Sequence, residues 1–238
     1  MKPWCASHVL WLSLLVMLVL TNVAFSECDK AKQQQALAAI RLRSQIELDH
    51  RGLPSWIKGQ IAPRNGEDPV QSALTTLEMI RDAFCAASND GFAFTGHFEK
   101  EDRLGQTHVR IKQTYRGLDV LGAELTVHMT QDSVTIINGH FLPGIDLPTK
   151  PVLTSQEVSR IALEHVTAIG GIEESVRAIH PLVVFACEMD QGHLAYPVET
   201  AYKLVKGNRY QVGGHLDDFF VDAITGVVVG KHAHIIRD

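Results

Sequence analysis

Twelve histidines in 238 residues are the first place to look for chemistry, because imidazole is both a common metal ligand and the side chain that titrates near neutrality. Spacing removes most of the readings. A zinc-peptidase helix needs two histidines four residues apart with a glutamate after the first. No H-E-x-x-H occurs, and Glu164-His165 has no second histidine one turn away. His232 and His234 would share one face of a strand and are the candidate metal pair, against the plainer reading of two exposed polar residues near a terminus. His165 lies beside an apolar helical stripe and reads as half-buried packing. His128, His140, His180 and His215 are scattered.

Nucleophilic and phosphate chemistry find no better support. No serine sits in G-x-S-x-G, no cysteine has a recognisable catalytic setting, and Gly170-Gly171 and Gly213-Gly214 lack the spacing or the lysine of a phosphate-binding loop. Asp217-Asp218 are adjacent, so on a strand they would point to opposite faces; a surface turn is the expected setting. The expectation is a chain that is not an enzyme, with no catalytic residue and no cofactor.

Charge and cysteines narrow the class further. Lys2, the apolar run 9–20 and Ala24-Phe25-Ser26 have the order of a secretory signal peptide with its cleavage site, expected to occupy residues 1–26. The run is about half of the ~20 apolar residues that a spanning helix needs, so no membrane span is expected after cleavage. Lys2 is the only charged residue lost, leaving 21 basic and 27 acidic residues and a net charge of −6. That excludes the positive footprint of a nucleic-acid binder. Cys28, Cys85 and Cys187 remain in an oxidising compartment, secreted or periplasmic. Either Cys28 pairs with Cys85, each bordering a helix of the N-terminal region, or all three stay thiols that pack as small apolar groups.

The elements that must position any site follow from periodicity. Helical spacing predicts a helix over 29–48, then an irregular or extended piece 52–59 anchored by Trp56, then a helix opening at Asp68-Pro69 and ending near 89–91. From His108 the period becomes alternating, and three antiparallel strands in a meander run to residue 137. Gly117 supplies a positive φ in the first turn, and Gly122 a bulge or close backbone approach. Pro148 and Pro151 mark a boundary. Thr154 and Glu157 then form a capping box for a helix with the apolar stripe Val158, Ile161, Ala162, Val166 and Ile169, closed by Gly170-Gly171. Strands follow over 181–187, 194–205 and 219–229.

The stretch HVRIKQTYRGLDVLGAELTVH (108–128), with Tyr115, Gly117 and Gly122 in a strand ending Q-x-Y, a glycine turn and a V-x-G segment, resembles the fungalysin/thermolysin propeptide domain. Pro54, Trp56, Ile57 and Gly59 are similar to an element upstream of it. Residues 153–166 and 194–199, with Asp222, Thr225 and Gly226 of V-D-A-x-T-G, resemble the PepSY domain that follows in such precursors. The resemblance implies an α+β fold of two small domains, each a helix packed on an antiparallel sheet, FTP-like over 27–147 and PepSY- or cystatin-like over 148–238. It implies a proregion that inhibits a thermolysin-type zinc metallopeptidase and assists its folding, here without the catalytic domain. The tail, with His232, His234, Ile235, Ile236 and Asp238, is then the partner-binding candidate, entering the peptidase cleft. Two other readings stay open: a remnant of a truncated precursor, and a ligand-binding or sensing module of the cell envelope.

Overall fold

The computed structural model describes residues 28–64, 68–186, 191–206 and 209–234. Residues 1–26, expected to form a signal peptide, Cys187, and Ile235, Ile236 and Asp238 lie outside the described residues. Among those described, no helix is long and apolar enough to cross a membrane.

Helix α1 (Lys30–Arg41) opens at Asp29, whose carboxylate accepts from the N–H groups of Ala31 and Lys32. It ends short of the expected 48. Ser44–Leu48 is instead strand β1, antiparallel to β2 (Pro54–Pro63), and Ile46 pairs with Ile57 rather than continuing a helical stripe. The anchor of this piece is Ile57, fully buried, and not Trp56, which is 39% exposed. Helix α2 (Pro69–Met79) is capped by Asp68 with proline at its start, where the missing donor costs nothing. It stops before the expected 89–91, because a 3₁₀ turn (Arg81–Phe84) and a left-handed Cys85 redirect the chain. Cys85 is joined there to Cys28 by a disulfide.

Strand β3 (Asp90–Glu99) follows, a strand that no alternation announces because most of its residues are half-buried or exposed on both faces. It pairs with β4 (Thr107–Tyr115), which runs through the meander into β5 (Leu118–Met129) and β6 (Ser133–Gly139). Arg116 and Gly117 both have positive φ, 47° and 83°, the geometry of a two-residue turn that matches strand twist. Lys112 faces Glu124 while Thr114 faces Asp119, so residues 120–123, with Gly122 at φ 93°, oppose Gln113 alone. This is a bulge.

Helix α3 (Ser155–Ala168) begins with the Thr154/Glu157 capping box. Val158, Ala162 and Val166 are fully buried, whereas Ile169, beyond the last turn, is 45% exposed. Instead of a loop, the glycine pair leads directly into β7 (Gly171–Ile179), followed by β8 (Val183–Phe185), β9 (His193–Lys206), β10 (Arg209–Asp222) and β11 (Val228–Ala233).

The result is a mixed α and β chain with a mostly antiparallel sheet and few helices. Where β6 leaves β5 at Gly139, the parallel strand β8 takes its place beside Val120 and Leu121 and passes the sheet on to β9, β10 and β11. Among the described residues one eleven-stranded sheet therefore runs through both halves, and does not by itself draw the two separate helix-on-sheet units that the resemblance implies. A buried cluster of Tyr115, Val120, Ala123, Leu142 and Ile145 from the first half with Val184 and Ala186 from the second fills the join. Burying side chains of this size contributes about 1.5–3 kcal/mol each for the larger ones.

Two polar devices hold the segments that enter and leave this join. Gln113, 2% exposed, donates to Asp90 Oδ1 at 3.0 Å and to the Leu142 carbonyl at 2.8 Å, and accepts from Leu142 N–H at 2.9 Å. Two residues on, the Tyr115 hydroxyl bonds both the carbonyl (3.2 Å) and the N–H (3.3 Å) of Leu147. Burial pushes the Asp90 carboxyl up, while the Ala87 N–H, Gln113 and Arg81 pull it back only in part. In the second half, Asp222 Oδ1 accepts from Ile224 and Thr225 N–H (2.9 and 2.8 Å), its Oδ2 meets His193 Nδ1 at 2.8 Å, and Gly226, at φ 77°, donates to its carbonyl. Burial works to raise Asp222, but the Thr225 N–H, His193 and the Ile224 N–H outweigh it and hold the carboxyl below its ordinary value.

Gln113→Ala leaves Leu142 N–H and one Asp90 oxygen buried without partners, and is expected to lower stability by about 2–3 kcal/mol, read from urea unfolding midpoints; a change within error would show that the clamp is dispensable. Asp222→Asn is expected to cost about 1–2 kcal/mol at pH 7. Because the folded carboxyl titrates below its unfolded value near 3.9, its contribution is present above that pH and is lost as pH falls through the lower folded value. The difference between parent and variant should thus shrink between pH 5 and pH 3; a constant difference would assign the loss to shape rather than charge.

Candidate functional site

The face of the second half turned away from α3 carries a group of polar side chains. Alternation along β10 puts Phe219 and Val221 under the helix with Val198 and Tyr202 of β9, so Asp218 and its direct cross-strand partner Glu199 lie on the opposite face. His232 of β11 stands opposite Asp218 on the other side. His180, just past β7, is tied down by its N–H to the Pro197 carbonyl at 2.9 Å. Four separate strands thus deliver their residues to one patch.

Its geometry is specific. His180 Nε2 is 3.9 Å from Glu199 Oε2 and 3.8 Å from Asp218 Oδ1, and one ligand atom from each of the three residues lies within 4.8 Å of the others. The second oxygen of Asp218 is occupied by His234 Nε2 at 3.0 Å. Asp218 Oδ1 itself is buried and has no hydrogen-bond partner. Like charges directly opposed across two strands destabilise a sheet, so Glu199 and Asp218 together call for positive charge between them. His180, 43% exposed on its side chain, leaves the patch open to solvent.

On the α3 side, Asp217 plays a different part. It is 2% exposed, accepts from the Tyr202 hydroxyl and pairs with Lys231 Nζ at 3.1 Å. Burial, and then the neighbouring Asp217, push the Tyr202 hydroxyl well above its ordinary range. Asp217-Asp218 is therefore not a surface turn. Each residue faces its own side of β10 with its own partners, because the chain stays extended from Arg209 to Asp222.

A second histidine group sits on the meander. His108 and His128 are cross-strand partners with Nδ1 atoms 2.5 Å apart; His108 Nε2 is 3.0 Å from Asp102 Oδ2, and His128 Nε2 is 2.6 Å from Asn138 Oδ1. Burial lowers the His128 pKa, opposed by Asn138 and reinforced by His108. All four ring nitrogens are engaged within the group, so it closes on itself.

Of the sequence candidates, His232 is exposed and His234 intermediate, with ring centres 5.7 Å apart. His234 is drawn to Asp218 and His232 lies open. Tyr115, Gly117 and Gly122 build the bulged hairpin, and Asp222, Thr225 and Gly226 the turn that launches β11. Ile235, Ile236 and Asp238 are outside the described residues. Only strand register brings His180, Glu199 and Asp218 together: along the sequence His180 is isolated, Asp218 is half of an adjacent carboxylate pair, and Glu199 carries no signal.

Comparison with known proteins follows the same residues. Residues 99–141, spanning the bulged hairpin and β6, match the Fungalysin/Thermolysin Propeptide Motif. The chain is 29% identical over 178 residues to a bacillolysin of Brevibacillus brevis, covering 70% of this chain and 31% of the relative. It is 26% identical over 202 residues to thermolysins of Alicyclobacillus acidocaldarius and Bacillus caldolyticus, covering 82% of this chain and 35% of each relative. The chain thus spans about a third of the length of these curated relatives. Among solved structures, the Bacillus megaterium YpeB C-terminal domain aligns over 86% of this chain and 96% of its own, at 14% identity and a TM-score of 0.35. The motif match and the curated relatives together fit a propeptide-like chain of the thermolysin type.

Proposed function

We propose that this chain is a secreted or periplasmic, proregion-like protein that binds a thermolysin-type metallopeptidase, as inhibitor, folding assistant or both, and performs no catalysis of its own. The observation that carries this reading is the motif match at residues 99–141, which coincides with the Gln113/Tyr115 clamp and the bulged hairpin. On this reading residues 1–26 are the signal peptide, 27–147 the FTP-like unit and 148–238 the PepSY-like unit, the two sharing the sheet through β5 and β8.

The binding element we favour is the tail. Among the described residues edge strand β11 pairs with β10 only, and in sequence its exposed His232 is followed by the anchored His234 and then by Ile235, Ile236 and Asp238. A short histidine and aliphatic segment ending in a carboxylate suits a cleft that carries zinc. A proregion covalently joined to its enzyme enjoys an effective concentration of about millimolar. Added as a separate chain, it depends on its own affinity and a specific interface of roughly 1,600 Å².

Mixing the purified chain with thermolysin-type peptidases is expected to reduce initial rates, or to raise refolding yields, at protein concentrations on the order of 1–10 μM. Removing residues 235–238, which keeps β11 and the Asp218–His234 contact, is expected to weaken inhibition at least about tenfold, or roughly 1.4 kcal/mol. Unchanged rates and yields across the range would remove the proposal; unchanged potency of the shortened chain would remove the tail from it.

A further inference from the structure

We propose that His180, Glu199 and Asp218 bind one divalent transition-series ion of the zinc type, with His234 positioning Asp218 for it. The inference stands on the geometry of the patch and does not rest on the peptidase reading. Three observations point the same way.

The first is the donor set. One imidazole nitrogen and two carboxylates, converging from β9, β10 and the end of β7, are ligand types that zinc and its neighbours accept, whereas calcium and magnesium favour oxygen alone. The second is the distribution of Asp218's oxygens. Oδ2 is held by His234 at 3.0 Å, while Oδ1 is buried, without a hydrogen bond, and aimed at His180 Nε2. A carboxylate that offers one oxygen to an ion and has the other fixed by a neighbouring side chain is the arrangement that orients a ligand before the ion arrives. The third is charge. Glu199 and Asp218 are directly opposed across the strands, and a doubly positive ion between them cancels their two charges.

The distances fit with a small contraction. Metal–ligand bonds of about 2.0–2.1 Å place tetrahedral donors roughly 3.4 Å apart, against the 3.8 and 3.9 Å between His180 Nε2 and the two carboxylates. Closing those two gaps needs movement of about half an ångström, and the Glu199 and Asp218 oxygens, within 4.8 Å of each other, close by at most roughly 1.4 Å, within reach of side-chain rotation at half-buried positions. The fourth position faces solvent, past the exposed edge of His180, and would take a water. The His108/His128 group offers no such opening, since all four ring nitrogens already have partners.

The experiment is metal titration of the untagged full chain with Zn²⁺ by calorimetry, and with Co²⁺ by visible absorption, which reports coordination by its ligand-field bands. One equivalent is expected to bind with Kd on the order of 1 μM or tighter, and the melting temperature to rise with zinc. His180→Gln and Glu199→Gln are expected to abolish stoichiometric binding, His234→Gln to weaken it about tenfold, and His108→Gln to leave it unchanged. Circular dichroism identifies variants that fold, and the parent's cobalt spectrum stands without any variant. No stoichiometric uptake by the parent, a cobalt spectrum of the hydrated ion only, or uptake by folded His180→Gln and Glu199→Gln equal to the parent's would overturn the assignment.

Discussion

The clamp that Gln113 and Tyr115 place on residues 142–147 is the constraint on which the rest of the molecule depends. Strand β5 is longer than β6, and the sheet can cross from one half to the other only if the chain leaving β6 is carried off β5 and held aside. Gly139 begins that departure. A β-carbon there would sit 2.1 Å from the Glu124 carbonyl oxygen, so the backbones cross more closely than any other residue permits. Gln113 then receives Leu142 through both its amide oxygen and nitrogen, and Tyr115 receives Leu147. With that segment fixed, β8 pairs with Val120 and Leu121, and the orientation of β9, β10 and β11 follows from backbone pairing.

This explains why a hairpin without a reacting group is so distinctive. Gln113 can turn its amide into the interior because the bulge at 120–123 leaves it without a direct partner on β5, and Gly122 makes the bulge accessible to the backbone. The motif residues are therefore bound to one another by the backbone path: glycine permits the bulge, the bulge frees glutamine, and glutamine holds the connection. The V-D-A-x-T-G turn has the same logic at smaller scale, since Asp222 satisfies two turn amides and a histidine, and so sets the angle at which β11 returns along β10.

Legibility in the sequence divided along physical lines. Caps and turns were readable, because Asp68-Pro69, Thr154 with Glu157, and Arg116-Gly117 act through local hydrogen bonds and backbone preference, and nothing distant competes. Alternation over 109–115 and again over 123–129 was equally plain, with the turn and the bulge between them. Ile46 misled, since one apolar residue in a polar stretch fits period 3.6 as well as period 2, and only its pairing with Ile57 decides. Trp56 misled for a different reason: its size suggests an anchor, but pleat parity gives the interior to Ile57. Strands β3 and β7 were invisible because neither buries one clean face. Prolines 148 and 151 mark a real break in local structure, and a parallel strand of three residues carries the sheet across it, a pairing that no local signal announces.

The histidines show most clearly what a linear reading misses. Counted along the chain, His180 is isolated and His232 with His234 looks like the pair; in the fold, register sets His180 beside Glu199 and Asp218 and gives His234 to Asp218's other oxygen. Two histidine groups of similar composition result, with opposite capacities. At His108 and His128 every nitrogen is matched by a protein atom, so an incoming ligand would have to break existing bonds. At Asp218 an acceptor oxygen is withdrawn from water and left unmatched, a state that costs free energy until a cation or donor supplies the missing interaction. The same carboxylate is also the anchor for the root of the tail, through His234. Any ion that draws Oδ1 toward His180 therefore acts on the side chain that holds His234. Charge at the patch and the seat of His234 are thus properties of one side chain, coupled through the two oxygens of Asp218.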